Sequence, residues 1–284
     1  MTILAIDQGT TSTRALLVGD SGVSRIVKTI AHRQFYPKPG WVEHDAEELT
    51  QNIQLCVDSC DDLLAIGIDN QGESCLAWGA DSKQAVSPVI VWQDNRTNST
   101  IDKLKSENVQ DWVFQKAGLP LDSYFSATKL AWIIENIPEA KALLRRGKLR
   151  LGTTDAFFLD RLAGRFVTDI STASRTSLMN LHTGQWDEEL CDLFGVPIET
   201  LPEIVSTTGD FGAIMSQGRR IPVTASIVDQ QAALYGHGCK KPGDAKITFG
   251  TGAFALVVTG DTPCQTVKQS NSQTGIIANG GMAD

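Results

Sequence analysis

The chain has few of the features that mark metal-binding, secreted or membrane proteins. Its six cysteines contain no C-x-x-C pair, and its four histidines are scattered without a second ligand at metal spacing. Cys56 and Cys60 lie four apart on a helical pattern, so we expect them to be small core residues. Because no signal peptide is visible at the start, we expect free thiols and a cytoplasmic protein.

A long apolar run and a basic surface are also lacking. No hydrophobic segment approaches the roughly 18 residues that a membrane span requires. The net charge is −8, and the only basic clusters are the adjacent pairs at 145–146 and 219–220. Since contact with phosphate backbones needs a clustered basic surface, we predict neither a membrane nor a nucleic acid as partner. A homo-oligomer is compatible with the sequence, which specifies no oligomeric state.

The apolar pattern predicts an α/β protein. Residues 3–6, a polar turn and residues 13–18 are typical of strand, tight turn and strand, and 24–31 predicts a third strand. We expect a helix to begin at Asp45, which can cap it, with Glu48 three residues on. Further strands are predicted at 64–68, 89–92 and 222–228, a mostly helical region at 99–193, and a helix from Asp229. Strands followed by returning helices indicate an α/β domain.

Two segments of the chain repeat one pattern. Residues 6–16 and 248–257 both indicate a strand, a Gly-Thr turn and a second strand, with turn glycines Gly9 and Gly250. This self-similarity suggests two domains built on one plan, the second beginning near Ala245 and truncated by the end of the chain. A single domain with a terminal hairpin explains the same pattern.

The turn after the first strand combines an acid, a glycine and a run of hydroxyls. Its backbone N–H groups and the hydroxyls of Thr10, Thr11 and Ser12 could hold phosphate oxygens. Asp7 could hold Mg²⁺ through the waters of that ion, and Arg14 could offset charge on a transferring phosphoryl group. A plain hairpin with a polar turn is the alternative.

Asp229 follows a predicted strand and opens a predicted helix. A carboxylate at this place points into the crevice where α/β proteins bind ligands, and it could accept a proton from a substrate hydroxyl. Aspartate is also a preferred helix N-cap, and an N-cap needs no other function.

Two further candidates come from a second turn and from scattered aromatic residues. The turn at 249–252 contains two glycines, which let the backbone approach a phosphate closely. Glu73, Trp92, Tyr124 and Phe254 could form a polyol or sugar site, in which aromatic faces pack on C–H surfaces and a carboxylate accepts hydroxyl hydrogen bonds. Taken singly, each aromatic residue is more typical of the core.

Seven strings along the chain carry a family resemblance. They are IDQGTTSTR at 6–14, YPKPGWVEHD at 36–45, VWQDNR at 91–96, SYFSATK at 123–129, TASRT at 172–176, DQQAAL at 229–234 and FGTG at 249–252. In order and approximate spacing they resemble the glycerol kinase branch of the FGGY family of carbohydrate kinases. The string at 36–45 is highly specific, and the resemblance covers essentially the whole chain.

The resemblance implies an actin-like (ribonuclease H-like) α/β ATPase fold with two domains and a cleft between them. Residues 1–238 would form the N-terminal, acceptor-binding domain. Residues 239–284 would be the opening strands of a truncated C-terminal, ATP-binding domain. Family members are roughly twice as long as this chain, which agrees with the truncation inferred from the repeat.

The implied activity is transfer of the γ-phosphoryl group of ATP to a primary hydroxyl of glycerol or a related polyol or sugar, with Mg²⁺ as the second cofactor. In that scheme Asp229 is the catalytic base, Arg14 assists, and Asp7 acts at the Mg²⁺–phosphate site. Thr10, Thr11, Ser12, Gly250 and Thr251 would bind phosphates, and Glu73, Trp92, Tyr124, Asp229, Gln230 and Phe254 would bind the acceptor.

The chain departs from the glycerol kinase pattern at one important position. Glycerol kinases carry arginine just before the pocket glutamate, where this chain has Gly72. Loss of a charged donor should weaken the hold on an acceptor hydroxyl and leave space. We therefore hypothesise an acceptor longer than glycerol, either a polyol or a sugar.

Two other functions stay open at this point. The chain could be an inactive fragment that serves only as a polyol- or sugar-binding module. It could also be an actin-like ATP hydrolase in which Asp229 and Gln230 orient water. The aromatic-plus-glutamate pocket argues against the hydrolase.

Overall fold

The computed structural model describes residues 2–20, 22–249 and 253–260. Its strands are β1 (Thr2–Gln8), β2 (Ser12–Val18), β3 (Ser24–Ala31), β4 (Glu43–His44), β5 (Leu63–Asn70), β6 (Cys75–Gly79), β7 (Val89–Ile90), β8 (Leu149–Thr153), β9 (Val167–Asp169), β10 (Met179–Asn180), β11 (Gln185–Trp186), β12 (Glu203–Val205), β13 (Ala213–Ser216), β14 (Arg219–Val228), β15 (Ala245–Phe249) and β16 (Ala253–Val257). Its helices are α1 (Ala46–Val57), α2 (Asn98–Ser106), α3 (Gln110–Ala117), α4 (Ser126–Asn136), α5 (Pro138–Arg145), α6 (Thr154–Phe158), α7 (Ile170–Ala173), α8 (Glu188–Phe194) and α9 (Asp229–Gly236). A π-helical turn at Leu159–Ala163 extends α6, and a 3₁₀ turn lies at Ile198–Thr200.

A six-stranded sheet in the order β13-β14-β5-β1-β2-β3 forms the first layer. β1, β2 and β3 are an antiparallel meander, whereas β1, β5 and β14 run parallel to one another. The three strands predicted near the start of the chain are confirmed, and β3 has the predicted bounds. Because β1, β5 and β14 are parallel, their carboxyl ends meet at one edge of the sheet.

Helix α1 begins where the sequence predicts it. The carboxylate Oδ1 of Asp45 accepts hydrogen bonds from the backbone N–H groups of Glu47 (2.9 Å) and Glu48 (3.2 Å), which caps the helix. One face of α1 is buried with the inner faces of β1 and β5 in a single apolar core. Cys56 and Cys60 are buried free thiols of this core, as expected.

A second, four-stranded sheet in the order β4-β7-β6-β8 packs with α2 to α5 and α8 around a separate apolar core. The region at 99–193 holds most of these helices, as predicted, but also β8 to β11. These strands have only two to five residues each, which is too short to leave a clear alternating pattern in the sequence. The strand predicted at 89–92 is limited to the two residues of β7.

The highly specific string at 36–45 has a structural role in this second layer. The centre of the Trp41 ring lies 3.8 Å from Cζ of Arg96, and the centre of the Trp132 ring lies 4.6 Å from the same atom. The Arg96 side chain is 0% exposed, and its Nη2 donates to Asp94 Oδ2 and Glu43 Oε1 at 2.7 Å each. A buried, stacked and doubly paired guanidinium thus joins the loop before α1, the segment after β7 and helix α4.

The two strands predicted within 248–257 are present as β15 and β16, and β15 begins earlier, at Ala245. They pack beside α9, where Leu234, Leu256 and Val258 form a small apolar cluster. The predicted phosphate-binding residues Gly250 and Thr251, which fall between the two strands in sequence, lie outside the described residues.

Candidate acceptor and phosphate site

An acidic residue lies next to the carboxyl end of each of the three parallel strands of the first sheet. In the strand register Asp7 of β1 pairs with Asp69 of β5, and Asp229 follows directly after β14. Burial and the neighbouring charges of Asp7 and Asp229 raise the pKa of Asp69 to about 9. Asp69 was not among the predicted site residues, although an acid at the end of a strand is the same signal that selected Asp7.

Asp229 is the first residue of α9 and not its N-cap, which is Val228. Its Oδ1 accepts a hydrogen bond from the backbone N–H of Gln230 at 2.6 Å. Burial is the main cause that raises the pKa of Asp229 to about 7, and the nearby charges of Glu73 and Asp7 add to it. A carboxyl group with a pKa near neutrality is suited to accept a proton from a hydroxyl.

The β1–β2 turn holds the predicted phosphate-binding residues Thr10, Thr11 and Ser12. The N–H of Gly9 donates to the carbonyl of Ser12 at 3.1 Å, which closes the turn. Asp7 and Arg14 are cross-strand partners, with Arg14 Nη1 3.6 Å from Asp7 Oδ2. Both side chains are partly exposed, so this pair is weak enough to open toward a ligand. Thr11 is exposed at the turn.

Thr10 connects this turn to the aromatic residues. Its Oγ1 accepts a hydrogen bond from Trp92 Nε1 at 3.0 Å, and its carbonyl is 2.9 Å from Nε2 of His32. The Trp92 ring packs edge to face against the Tyr124 ring, with 5.6 Å between the ring centres, and against the Phe254 ring, with 6.4 Å between the centres. Trp92 therefore lies between the turn and the rings that border the neighbouring cavity.

A cavity of about 200 Å³ lies beside these residues. Five of the six predicted acceptor residues line it, namely Glu73, Tyr124, Asp229, Gln230 and Phe254. The sixth, Trp92, contacts two of its aromatic walls. The remaining lining residues are Pro120, Asp122, Phe125, Arg175, Val228, Gln231, Ala255 and Leu256. Helix α9, the segment before α4 and the β15–β16 hairpin thus enclose one space.

Glu73 has an uncommon backbone conformation for a side chain of its size. Its φ is +60°, in the left-handed region, and the residue is only 4% exposed. Such backbone strain persists only where the surroundings hold it, and it is concentrated at functional sites. Its Oε1 accepts a hydrogen bond from Arg175 Nε at 2.6 Å, and the side-chain hydroxyl of Ser126 donates to its carbonyl at 3.0 Å.

The position of Gly72 corrects one premise of the acceptor hypothesis. A Cβ atom placed on Gly72 would lie 2.5 Å from Val228 Cγ2 and 3.8 Å from Arg175 Cγ. The absence of a side chain at this position therefore does not leave space, because Val228 occupies it. The expectation of added volume for a longer acceptor was wrong at this point.

Two basic residues near the cavity were missed by the sequence reasoning. Arg175 lies in the string at 172–176, to which no role was given. Lys246, on β15, is 8% exposed, and its Nζ donates to Gln230 Oε1 at 3.4 Å, as does the hydroxyl of Thr248. Burial lowers the pKa of Lys246, while the charge of Asp229 opposes that change.

Within the described ranges no three His, Cys, Asp or Glu side chains are arranged to hold a metal ion. Mg²⁺ needs no such cluster, because it commonly binds one or two carboxylates and keeps waters and substrate phosphates as its other ligands. The partly exposed carboxylate of Asp7, beside the hydroxyl-rich turn, fits that requirement. The same described part of the chain contains no helix long and apolar enough to cross a membrane.

The fold and the cavity at the carboxyl ends of its parallel strands define an α/β domain of the class found in sugar kinases. Residues 2–236 match the model of the FGGY family of carbohydrate kinases, N-terminal domain. The glycerol kinase of Janthinobacterium sp. (strain Marseille) is 45% identical over 269 residues, which cover 91% of this chain and 54% of that protein. The crystal structure of Plasmodium falciparum glycerol kinase with ADP has a TM-score of 0.85 and 33% identity, covering 90% of this chain and 54% of that one.

The chain therefore belongs to the FGGY family of carbohydrate kinases, and its fold is the actin-like one of that family. A gluconate kinase structure from Lactobacillus acidophilus, with a TM-score of 0.80 but 23% identity, shares the fold as well; the match covers 93% of this chain and 55% of that one. The chain spans about half the length of the relatives that it matches.

Proposed function

We propose that this chain is the acceptor-binding part of an ATP-dependent kinase that phosphorylates a primary hydroxyl of glycerol or a related polyol. The observation that carries the proposal is the position of Asp229. Its carboxyl group, with a pKa of about 7, follows β14, lines the cavity together with Glu73 and is near enough to Asp7 for the charge of Asp7 to raise that pKa. An acceptor in the cavity would present its hydroxyl to this group on one side and to a phosphoryl group on the other.

The cavity suits a small neutral molecule with several hydroxyl groups. Glu73 and Gln230 offer acceptors and donors to hydroxyls, and the Tyr124 and Phe254 rings offer faces to C–H surfaces. Three carboxylates, those of Glu73, Asp122 and Asp229, line the cavity against one guanidinium. This charge balance disfavours acceptors that are themselves acidic.

In the proposed reaction Asp229 accepts the proton of the attacking hydroxyl as the γ-phosphoryl group is transferred in line. Arg14 would turn from its weak pair with Asp7 toward the phosphoryl oxygens, and the hydroxyls of Thr10, Thr11 and Ser12 would bind phosphate oxygens. Asp7 would hold Mg²⁺, which when bound neutralises part of the phosphate charge. The ADP in the Plasmodium falciparum structure supports ATP as the donor.

Glycerol becomes the first acceptor to test. The space expected beside Gly72 is filled by Val228, and several relatives at more than 40% identity are named glycerol kinase. The absence of an arginine at position 72 keeps a longer polyol as the second candidate. The domain boundary at 238, the cytoplasmic location and the oligomeric state stay predictions.

The test is ADP release from Mg-ATP with acceptors from glycerol to five-carbon polyols and ketoses. The assay compares this chain with the protein extended to the length of its relatives. We expect acceptor-dependent release by the extended protein, with the best acceptor a neutral polyol. Release that is independent of every acceptor would overturn the proposal in favour of an ATP hydrolase. Binding of polyols without release by the extended protein would favour a binding module.

A further inference from the structure

The string TASRT at 172–176 is a part of the sequence pattern that has been given no role so far. It comprises the end of α7 and the turn that follows. The Asp169 carboxylate is fully buried at the start of α7, where it accepts from the N–H groups of Ser171 (2.9 Å) and Thr172 (3.0 Å). It also accepts from both of their hydroxyls and from the hydroxyl of Thr207. This short helix is therefore held more firmly than its four residues alone would allow.

The same helix is tied to the strand ends at the proposed site. Ser171 Oγ accepts a hydrogen bond from the N–H of Val228, directly before Asp229, at 3.1 Å. The hydroxyl of Thr172 lies 3.3 Å from Oδ1 of Asn70, the last residue of β5. The side chains of Ser171 and Thr172 thus fix α7 against the carboxyl ends of two parallel strands, and with it the residue that projects from its end.

That residue is Arg175. Its side chain is 13% exposed, its Nε donates to Glu73 Oε1 at 2.6 Å, and its Cζ lies 5.2 Å from the centre of the Phe125 ring. Burial lowers the pKa of Arg175, but the charge of Glu73 and the hydrogen bonds to Glu73 and Tyr124 outweigh burial and raise that pKa. Among the described residues that line the cavity, Arg175 is the one that carries a positive charge.

The geometry of Glu73 requires such a partner. Glu73 combines a buried carboxylate with a left-handed backbone, and a buried charge without a partner is strongly unfavourable. Charged hydrogen bonds are short and directional, so a guanidinium bound through Nε fixes the orientation of the carboxylate. A carboxylate has about four acceptor positions, and the pair with Nε uses one of them.

We propose that Arg175 is a positioning residue of the acceptor site, which orients the Glu73 carboxylate to accept the hydroxyl groups of a neutral polyol. Arg175 acts through Glu73, and α7 is the platform that holds it there. Gly72 belongs to the same arrangement, because the alkyl chain of Arg175 and the side chain of Val228 both lie close to the position that a Cβ atom on Gly72 would occupy. The inference rests on the proposed function, since it concerns the same cavity.

The test is a double-mutant cycle with Arg175→Met, Glu73→Gln and the two changes together. Glycerol and the four- and five-carbon polyols are the probes, and their affinity for each folded variant is measured by calorimetric titration. Arg150→Met is the matched control, because Arg150 is a largely buried arginine that pairs with Asp160 away from the cavity. Thermal unfolding of all variants reports the structural cost separately.

We expect Arg175→Met to weaken polyol binding by roughly tenfold to a hundredfold when Glu73 is intact. In the Glu73→Gln background the same change should weaken binding by less than about threefold. Arg150→Met should lower thermal stability and leave polyol affinity unchanged. In the extended protein Arg175→Met should raise the acceptor KM more than it lowers kcat.

Equal losses in both backgrounds would overturn the positioning role, because Arg175 would then not act through Glu73. Lost stability with unchanged polyol affinity would also overturn it, since the pair would then serve the fold alone. If the unmodified chain and the unmodified extended protein bind no polyol at all, the proposed function itself fails. That result is distinguishable from failure of the Arg175 inference, which requires a wild type that binds.

Discussion

Replacing Asp229 with asparagine should stabilise the fold while it removes the proposed catalytic base. The carboxyl group of Asp229 has its pKa raised from 3.8 to about 7, mainly by burial and then by the charge of Glu73. The folded chain therefore holds this proton more tightly than the unfolded chain does. As the pH rises from about 4 to 7, the unfolded chain loses the proton first, and the free energy of unfolding falls.

The size of the effect follows from the same values. A pKa displaced from 3.8 to about 7 corresponds to at most about 4 kcal/mol, at ~1.36 kcal/mol per pH unit. Because Asp229 is only partly exposed, solvent screens little of this effect. Its repulsion with Asp7 and Glu73 is shared among the three groups, however, so we expect the variant to gain about 1–3 kcal/mol in the free energy of unfolding. Asparagine keeps an oxygen that can accept the hydrogen bond from Gln230.

The assay is urea unfolding of wild type and Asp229→Asn at pH values from 4 to 9. The variant should match wild type near pH 4 and be more stable by the stated amount above pH 7. Asp62→Asn is the control, because the Asp62 side chain is 95% exposed and asparagine tolerates its left-handed backbone. A stability difference that does not change with pH, or a variant less stable than wild type at pH 8, would refute the reasoning.

The remaining predictions concern the surroundings of the site. Trp92→Phe removes the hydrogen bond to Thr10, which contributes about 1 kcal/mol, and should therefore raise the KM for ATP of the extended protein about fivefold. An unchanged KM for ATP would contradict the link between the Trp92 ring and the β1–β2 turn. Gly72→Ala should destabilise the chain by about 1–3 kcal/mol in urea unfolding, because the new Cβ atom would clash with Val228. Adding Val228→Ala to the same chain should recover most of this loss. Additive losses from the two substitutions would show that the contact is not the cause. Arg96→Met should cost about 3–5 kcal/mol of folding stability while polyol affinity is retained, and a loss below about 1 kcal/mol would contradict a buried structural role.

The elements that the sequence predicted are those with local signals. The hairpin of β1 and β2, strand β3 and helix α1 each have an apolar pattern of seven or more residues, and Asp45 marks the start of the helix. The carboxyl-edge position of Asp7 and Asp229 also followed from local order, since each comes at or just after the end of a strand. The short strands β8 to β11 were missed because their lengths leave no period to detect.

The rest of the site depends on contacts between distant parts of the chain. The pair of Glu73 and Arg175 joins residues 102 positions apart, and nothing in the sequence near either one indicates the other. The filling of the space beside Gly72 by Val228 is equally non-local, which is why the volume argument for a longer acceptor failed. The structural role of the string at 36–45 also depends on non-local contacts, since Trp41 packs on Arg96, which in turn packs on Trp132.

The central claim is that Asp229 takes the proton from a polyol hydroxyl during transfer from ATP. The most direct measurement is phosphorus NMR of the extended protein with Mg-ATP and the best-bound polyol, in wild type and Asp229→Asn. We predict a new phosphomonoester on a primary hydroxyl for wild type, and none for the variant although it still binds the polyol. A phosphomonoester formed by the variant at a comparable rate would contradict the claim, as would ATP converted to inorganic phosphate by wild type without any phosphorylated polyol.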